Sequence, residues 1–314
     1  MFKLLIILFL HVIAIQAFSQ SNGKIVEKVA LKNFGELIQY IKVTESRDSV
    51  KLLKSRFKYF DKVQVFGITY WSDSLRVKGF LLRPKTPGKY PAIIYNRGGS
   101  LEHGSLTHPM ASIGLGELAR LAHRGYVIAA SQYRGNGGGE GQEEYGGNDI
   151  NDVLNLIPLL ESQPNVEISR LGMFGWSRGG MTTFLTIKRT KRIKAIALGA
   201  PSSNLTRTIL DRPLLDEWWS EFIPNYNVNK AEVLKRRSVI YWVNELPKNI
   251  PILLLQGEDD KSLLPDFTLD LSKEFTKHKI PYRLIKFEAG SHSLKAYHEE
   301  VFNELFKWFD KYLK

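Results

Sequence analysis

The sequence contains no cysteine among its 314 residues. Disulfides are therefore excluded, and the fold must be held by its hydrophobic core alone. A lipid-anchored bacterial protein needs a cysteine at its cleavage site, so we also expect no lipid anchor. Long low-complexity tracts are absent, and 43% of the residues are apolar against 24% charged, as is typical of globular proteins. We expect one large domain, or one domain with an inserted cap.

The N-terminus lacks an apolar run long enough to span a membrane. Its apolar run from Leu4 to Ile15 contains one histidine and is too short for a bilayer. Lys3 precedes the run, and the small residues Ala17 and Ser19 follow it, which is the pattern of a cleavable signal peptide. We therefore assign residues 1–20 to a signal peptide and expect an exported protein, either periplasmic or secreted.

A concentrated run of basic charge is missing too. Lys and Arg outnumber Asp and Glu by 44 to 32, which gives a net charge of +12 and a pI near 9.6. Such an excess can attract nucleic acid, membrane headgroups or acidic glycans, but here the cations are spread along the chain. We interpret them as a solvated basic surface and expect no nucleic-acid partner.

The chain after the predicted signal peptide begins with helix-like periodicity. Apolar side chains recur at i, i+3 and i+4, so we predict an N-terminal helical extension over residues 21–60. Residues 62–84 then alternate around the turn-like Ser72-Asp73-Ser74, which predicts an antiparallel hairpin. We assign the rest of the chain, residues 61–314, to a single domain.

Short, continuously apolar segments alternate with amphipathic ones from residue 91 onward. Strands of this kind occur in parallel sheets whose crossover helices cover both faces. The pattern therefore predicts an α/β fold with a mostly parallel central sheet flanked by helices. The predicted strands are 91–96, 126–130, 170–175, 193–201, 250–257 and 282–288, and the predicted helices are 116–123, 150–162, 179–189, 266–278 and 297–313.

Residues 201–248 interrupt this alternation with helix-like pieces and no clear strand. A stretch that long between two core strands is typical of a cap inserted over the carboxyl ends of the sheet. The aromatic residues of such a cap either pack in a core or line a pocket. We name Trp218 and Trp219, together with Trp176, as candidate substrate-binding residues.

One motif combines a serine with flanking glycines at a junction between a predicted strand and a predicted helix. Gly175-Trp176-Ser177-Arg178-Gly179 matches G-x-S-x-G, the pattern of a nucleophile elbow. The turn is strained, and the glycines remove side chains that would clash. Ser177 is then presented at the top of the sheet as a candidate nucleophile, and the amide of Arg178, at a helix N-terminus, is a candidate oxyanion donor.

A serine nucleophile needs a general base that is oriented by an acid. In α/β-hydrolases these partners follow in the order Ser, Asp, His. His292 lies in a short loop after the last predicted strand and is the candidate base. Asp259 and Asp260 follow the strand before it, and their shared turn leaves the choice between them open. The other histidines lie in the signal peptide, precede Ser177 or sit near helix ends.

The loop after predicted strand 91–96 is Arg97-Gly98-Gly99. Glycines there let the backbone approach a substrate carbonyl, so the amides of this loop are candidates for the second half of the oxyanion hole. The alternative is a simple glycine turn.

Neither a cofactor motif nor a metal motif is complete in the sequence. Residues 133–142 are glycine-rich but lack the G-K-[ST] ending of a phosphate loop. The acids at 258–260 lack the spacing of a calcium loop. We therefore predict no cofactor and no metal.

The order of these motifs resembles the catalytic domain of the prolyl oligopeptidase family of serine peptidases. The similarity runs from about Gly79 to the C-terminus, in the segments PAIIYNRGG, SQYRGNGGGEG, NDINDVLNLIPLLES, ISRLGMFGWSRGG, ILLLQGEDDKSLLP and FEAGSHSL. The resemblance implies an α/β-hydrolase fold and a Ser-His-Asp triad that works through an acyl-enzyme. In register with the family's H-G-x-x-D, residues 256–260 make Asp260 the triad acid over Asp259.

Two positions depart from the family pattern. Arg178 stands where tyrosine is usual after the nucleophile, and Arg97 replaces the histidine of H-G-G. Two cations near the mouth of the site would favour an acidic substrate group; the alternative is that both arginines point outward. The chain before the first sheet strand is also far too short for the N-terminal β-propeller that many peptidases of the family carry.

These observations predict an exported serine hydrolase that cleaves short peptides or other small molecules. Serine-type peptidase activity on small peptides is the leading prediction. A carboxylesterase that acts on acylated sugars or other small esters is the alternative. A catalytically inactive hydrolase-fold protein that binds acidic polymers is the third hypothesis, and a complete triad in the expected order argues against it.

Overall fold

The computed structural model describes residues 22–32, 36, 57–107, 111 and 113–314. The predicted signal peptide and most of the predicted helical extension lie outside these residues.

The described residues form nine strands and nine α-helices. The strands are Ile25–Leu31 (β1), Val63–Ser72 (β2), Leu75–Pro84 (β3), Tyr90–Asn96 (β4), Val127–Ser131 (β5), Val166–Trp176 (β6), Ala195–Gly199 (β7), Ile252–Gly257 (β8) and Tyr282–Phe287 (β9). The α-helices are Leu115–His123 (α1), Asp149–Leu154 (α2), Leu156–Glu161 (α3), Arg178–Ile187 (α4), Leu205–Asp211 (α5), Leu214–Ser220 (α6), Lys230–Arg237 (α7), Pro265–His278 (α8) and His298–Leu313 (α9).

These strands form one sheet in the order β1-β2-β3-β5-β4-β6-β7-β8-β9. Strands β1 to β3 pair antiparallel, β3 is antiparallel to β5, and every other neighbouring pair is parallel. The prediction of a mostly parallel sheet is confirmed. Parallel strands bring their carboxyl ends to one edge of the sheet. The loops that follow β4, β6, β8 and β9 therefore open at the same edge, and these loops carry the candidate site residues.

Strand β1 corrects the prediction for residues 21–60, where we expected helix. Its backbone pairs antiparallel with β2. The carboxylate of Glu27 accepts hydrogen bonds from Thr69 Oγ1 at 2.7 Å and from Lys78 Nζ at 3.0 Å. Pairing with a strand far along the chain decides the conformation here, because strand formation depends on cross-strand neighbours that local periodicity does not reveal.

The predicted hairpin is present as β2 and β3. Ser72 pairs with Leu75 across a two-residue turn, in which Asp73 has φ +50° and Ser74 has φ +69°. Two successive positive φ angles are the geometry of a type I′ turn, whose twist matches that of the flanking strands.

Helices cover both faces of the sheet. Helices α1 and α9 bury one face, with Leu118 and Phe309 fully inaccessible to solvent. Helices α2, α3, α4 and α8 bury the other face, on which Phe184 and Leu271 are fully inaccessible. Two apolar layers therefore hold the sheet rigidly behind the edge where the site loops open.

The helix predicted over residues 150–162 is two helices, α2 and α3, separated at Asn155. Pro158 lies within α3 and has no amide hydrogen, so the carbonyl of Leu154 has no helical donor four residues ahead. The break at this position is the expected consequence.

Residues 201–248, here called the helical insertion, connect β7 to β8 through α5, α6 and α7 with no strand among these residues, all of which the structure describes. Trp219, Phe222 and Tyr226 are buried in a small core of their own, together with Tyr145 and Met181 from outside the insertion. Contacts with the body of the domain therefore fix the insertion beside the edge of the sheet. Within the described ranges, no helix combines the length and apolar composition that crossing a bilayer requires.

Candidate active site

Ser177 occupies a sharp bend between β6 and α4, with φ +56° and ψ −121°. Positive φ is unfavourable for a residue with a side chain, so the surrounding structure must hold this conformation. The Ser177 amide donates to the carbonyl of Gly199 on β7 at 2.8 Å. Its carbonyl accepts from the amides of Gly180 at 2.9 Å and Ser202 at 3.0 Å. Backbone hydrogen bonds to three segments therefore fix the serine in place.

The glycines around Ser177 are required by close backbone contacts. A Cβ atom on Gly175 would lie 2.4 Å from the Gly179 carbonyl oxygen, and one on Gly179 would lie 1.9 Å from the Asn96 carbonyl oxygen. Neither contact is sterically allowed. The second contact also shows that the end of β4 packs directly against the bend, so the Arg97–Gly99 loop begins beside the serine.

Asp260 and His292 are brought together from the loops after β8 and β9. Asp260 Oδ2 lies 2.7 Å from His292 Nδ1. The other oxygen, Oδ1, accepts from the amides of Ser262 at 2.8 Å and Leu263 at 2.9 Å. Burial would raise the pKa of Asp260, but the hydrogen bond and charge of His292 and the two amides outweigh burial and hold the pKa below its usual value. Asp260 is therefore a carboxylate suited to orienting an imidazole.

Asp259, the alternative acid, faces solvent. Its side chain is 58% exposed and pairs with Lys261 at 2.5 Å. The adjacent Asp260 is 1% exposed. The turn thus directs one carboxylate inward and the other outward, a difference that residue spacing alone could not decide.

Ser177 and His292 line the same cavity, whose volume is about 270 Å³. Among the described residues, Ser177 Oγ and the His292 ring make no hydrogen bond with each other. Such contacts are often long in a protein without substrate and tighten when one binds. The cavity is lined by Tyr95, Arg97, Gly98, Gly99, His103, Gly104, Ala111, Ile113, Tyr145, Trp176, Ser177, Arg178, Ser202, Thr208, Arg212, Leu215, Trp219, Ser262, Leu263 and His292.

The three candidate tryptophans have different positions. Trp176 lines the cavity, is 1% exposed and donates its indole N–H to the His292 carbonyl at 3.1 Å, so it also anchors the His292 loop. Trp219 lines the cavity from the helical insertion. Trp218 does not line it, which corrects the prediction for that residue. Its ring packs edge-on against Phe222 with centroids 5.5 Å apart, because α6 turns neighbouring side chains to different sides.

Arg97 and Arg178 are buried, each with 1% exposure, so neither expectation for them holds. They do not point outward, and they are not free cations at the mouth. Both line the inner wall of the cavity, while their guanidinium groups turn toward buried carboxylates. The physical reason is that an arginine buried in a protein needs a paired acceptor.

Glu143 lies between the two arginines and is fully buried. It accepts a hydrogen bond from Arg97 Nη2 at 3.2 Å and a short one from Arg178 Nη1. It also accepts from Asn136 Nδ2 at 2.8 Å and from the Leu101 amide at 3.1 Å. Both carboxylate oxygens therefore receive donors from separate segments.

Asp149 supplies the second buried carboxylate. It accepts from Arg178 Nη2 at 2.7 Å and from the amides of Gly146 and Gly147 at 2.8–3.1 Å. Burial lowers the pKa of Arg178, but the charges of Glu143 and Asp149 outweigh this effect and raise it. Two carboxylates thus balance two guanidinium groups beneath the cavity.

This buried network connects the Arg97–Gly99 loop to the bend at Ser177. Arg178 Nη1 donates to the Gly99 carbonyl at 3.0 Å, and a Cβ atom on Gly98 would lie 3.2 Å from Ser177 Cβ. Gly99 itself has φ +65°, which favours glycine. Sequence reasoning missed Glu143 and Asp149, because it expected Arg97 and Arg178 at the mouth of the site or pointing outward and so sought no acidic partners for them.

A model of the prolyl oligopeptidase family matches residues 113–314, well over half of the chain, and this range includes Ser177, Asp260 and His292. The chain belongs to the prolyl oligopeptidase family. It is accordingly a serine hydrolase of a peptidase family, as the motif order predicted.

Individual relatives agree with this assignment. The chain is 33% identical over 202 residues to the uncharacterized peptidase YtmA of Bacillus subtilis, covering 64% of this chain and 75% of that protein. The fold matches Pyrococcus horikoshii acylaminoacyl peptidase with a TM-score of 0.68 at 20% identity, over 87% of this chain and 44% of that one. It matches a Mycobacterium tuberculosis puromycin-hydrolyzing peptidase with a TM-score of 0.64 at 20% identity, over 76% of this chain and 37% of that one. The matched region is thus less than half of either solved protein.

Removing the Glu143 carboxylate should destabilise the fold strongly. In Glu143→Ala, two buried guanidinium groups lose a shared counter-charge, and we expect the free energy of unfolding to fall by about 3–5 kcal/mol. Denaturant unfolding followed by tryptophan fluorescence measures this change. The neighbouring Glu144→Gln is the matched control and should change stability by less than about 1 kcal/mol. Equal effects of the two variants would contradict the network described here.

Asp260 should make stability depend on pH in the acid range. Because its pKa is lower in the folded state, its stabilising contribution is present above the unfolded value of about 3.9 and is lost as the pH falls through the folded pKa. The loss of stability in Asp260→Asn should therefore be larger near about pH 6 than near about pH 3, as measured by denaturant unfolding. A pH-independent effect of Asp260→Asn would contradict the prediction.

Proposed function

We propose that the protein is an exported serine peptidase that cleaves short peptides through an acyl-enzyme on Ser177. The observation that carries the proposal is the 2.7 Å pairing of Asp260 with His292 on the cavity that Ser177 also lines. The strained bend at Ser177 supports the same role, because it exposes a hydroxyl at the carboxyl edge of the sheet.

In the proposed reaction, Ser177 Oγ attacks the scissile carbonyl carbon while His292 Nε2 takes the hydroxyl proton. Asp260 accepts the Nδ1–H of His292, which places the basic nitrogen toward the serine and stabilises the imidazolium that forms. His292 then gives its proton to the leaving amine as the C–N bond breaks. A water molecule, deprotonated by His292, hydrolyses the acyl-enzyme and restores Ser177.

The negative charge on the substrate oxygen requires donors on the other side of the carbonyl. We assign this role to the amide of Arg178, at the N-terminus of α4, and to the amides of the Arg97–Gly99 loop. The close approach of Gly98 to Ser177 and the buried bonds from Arg178 to Gly99 and Glu143 support this assignment. Loss of one such donor lowers the rate by about 10²–10³-fold in a comparable site.

The size of the cavity favours short substrates. Its volume is about 270 Å³, and Thr208, Leu215 and Trp219 of the helical insertion form part of its wall. The same small volume makes a carboxylesterase acting on small acyl groups the second candidate function.

Ser177→Ala should abolish the reaction. We expect kcat/KM to fall by at least about 10⁴-fold, and labelling of the protein by a fluorophosphonate probe to disappear, because the probe reacts with an activated serine hydroxyl. Ser220→Ala removes a hydroxyl of the helical insertion that does not line the cavity and should label as wild type does. Undiminished labelling of Ser177→Ala would contradict the assignment of the nucleophile.

A substrate panel separates the two candidate functions. We expect wild-type protein to release p-nitroaniline from blocked short-peptide p-nitroanilides, and Ser177→Ala to release none. p-Nitrophenyl esters and acetylated sugars form the comparison set. Turnover of esters with no cleavage of any peptide amide would reject the peptidase proposal and leave the esterase.

Export is proposed from the predicted signal peptide. Expression in a bacterial host should place wild-type protein in the periplasm or medium, shortened at its N-terminus, whereas a variant lacking residues 1–20 should stay in the cytoplasm. Cell fractionation with mass measurement of the product tests this, and full-length protein retained in the cytoplasm would overturn it.

A further inference from the structure

The charges on the cavity wall are unbalanced. Among the described residues that line it, there is no aspartate or glutamate, whereas three are arginines and two are histidines. The carboxylates of Glu143 and Asp149 lie behind the wall and pair with Arg97 and Arg178, and Asp260 pairs with His292. These pairs neutralise the inner part of the wall and leave the exposed Arg212 and His103 on its outer part. Of these two, only Arg212 carries a full charge at every pH near neutrality.

Arg212 follows helix α5 in the helical insertion, and its side chain is exposed at the cavity. Its hydrogen bond to the Ser262 carbonyl, at 3.5 Å, is long. Among the described residues, no carboxylate oxygen lies within 4.0 Å of its guanidinium group. The acid next to it in sequence, Asp211, lies 4.0 Å from the guanidinium group of Arg207 instead.

An unpaired guanidinium group at the cavity suits a carboxylate, which it can bind through two parallel hydrogen bonds. The rest of the wall suits an apolar chain between that carboxylate and the scissile carbonyl, since Ile113, Leu215 and Leu263 line it. A free amino group, by contrast, would find no carboxylate on the described wall to pair with.

We propose that Arg212 determines specificity by binding a carboxylate on the acyl part of the substrate, so that the protein prefers acyl groups ending in an acid. This inference rests on the proposed function, because it assumes that Ser177 is acylated in this cavity. It assigns to Arg212 the attraction for an acidic group that the sequence suggested for Arg97 and Arg178, whose charges are already balanced.

A matched pair of esters tests the proposal. The acyl groups of p-nitrophenyl valerate and p-nitrophenyl hemiglutarate have the same number of carbons, and one ends in a methyl group where the other ends in a carboxylate. Release of p-nitrophenol is measured for each ester, with the rate in the presence of Ser177→Ala subtracted as the background. The quantity of interest is the ratio of kcat/KM for hemiglutarate over valerate.

Arg212→Ala should lower this ratio about fivefold, which is the effect of losing one partly solvated ion pair. The kcat/KM for hemiglutarate should fall, and the kcat/KM for valerate should stay unchanged. Arg212→Lys should retain part of the preference, and Arg212→Glu should reverse it. Raising the salt concentration should reduce the wild-type ratio, because exposed charge pairs are screened. Arg236→Ala removes an exposed arginine of the same insertion that does not line the cavity and should leave the ratio as in wild type.

The outcomes separate this inference from the proposed function. An unchanged ratio in Arg212→Ala and Arg212→Glu, with hydrolysis of both esters abolished by Ser177→Ala, overturns the role of Arg212 and leaves the nucleophile in place. Hydrolysis that persists in Ser177→Ala overturns the proposed function itself. An equal decrease of the hemiglutarate-to-valerate ratio in Arg212→Ala and Arg236→Ala shows a general effect of surface charge. That result also overturns the proposed role of Arg212 in binding the carboxylate.

Discussion

The carboxylate of Glu143, buried between the guanidinium groups of Arg97 and Arg178, is the interaction on which the site depends. A buried charge is tolerated only when it is paired and hydrogen-bonded, and here Glu143 forms an ion pair with both arginines. The consequence for the site is geometric. Arg178, which follows Ser177, and the Arg97–Gly99 loop are joined through this one carboxylate, so the two sides of the cavity are held at a fixed separation.

The strain at Ser177 is compatible with folding because its surroundings determine it from several directions. The carbonyl of Gly199 in the sheet accepts from the Ser177 amide. The amides of Gly180 in α4 and of Ser202 at the start of the helical insertion donate to the Ser177 carbonyl. None of these contacts involves the serine hydroxyl. The chain can therefore maintain an unfavourable backbone angle while leaving the Oγ atom available to a substrate.

Much of the fold followed from the sequence because continuous apolar strands and amphipathic helices differ in period and length. The six predicted strands from residue 91 onward correspond to β4 to β9, and the hairpin to β2 and β3. The predictions that were wrong share a cause. Residues 25–31 became a strand because a partner strand was available, and the directions of Arg97, Arg178 and Trp218 were set by neighbours that lie far away in sequence.

The sequence by itself determined which reactive groups are present and in what order. A serine between glycines at a strand end is followed by an aspartate turn and a histidine loop, in the order of a hydrolase. The sequence also excluded any disulfide. These features are local, or depend only on the order of elements along the chain. The tertiary structure decided which aspartate turns inward, where two arginines find their counter-charges, and which arginine at the cavity has no carboxylate beside it in the described part of the chain. Those outcomes depend on burial and on pairing between distant segments, because the energy of a charge is set by the groups that surround it in space.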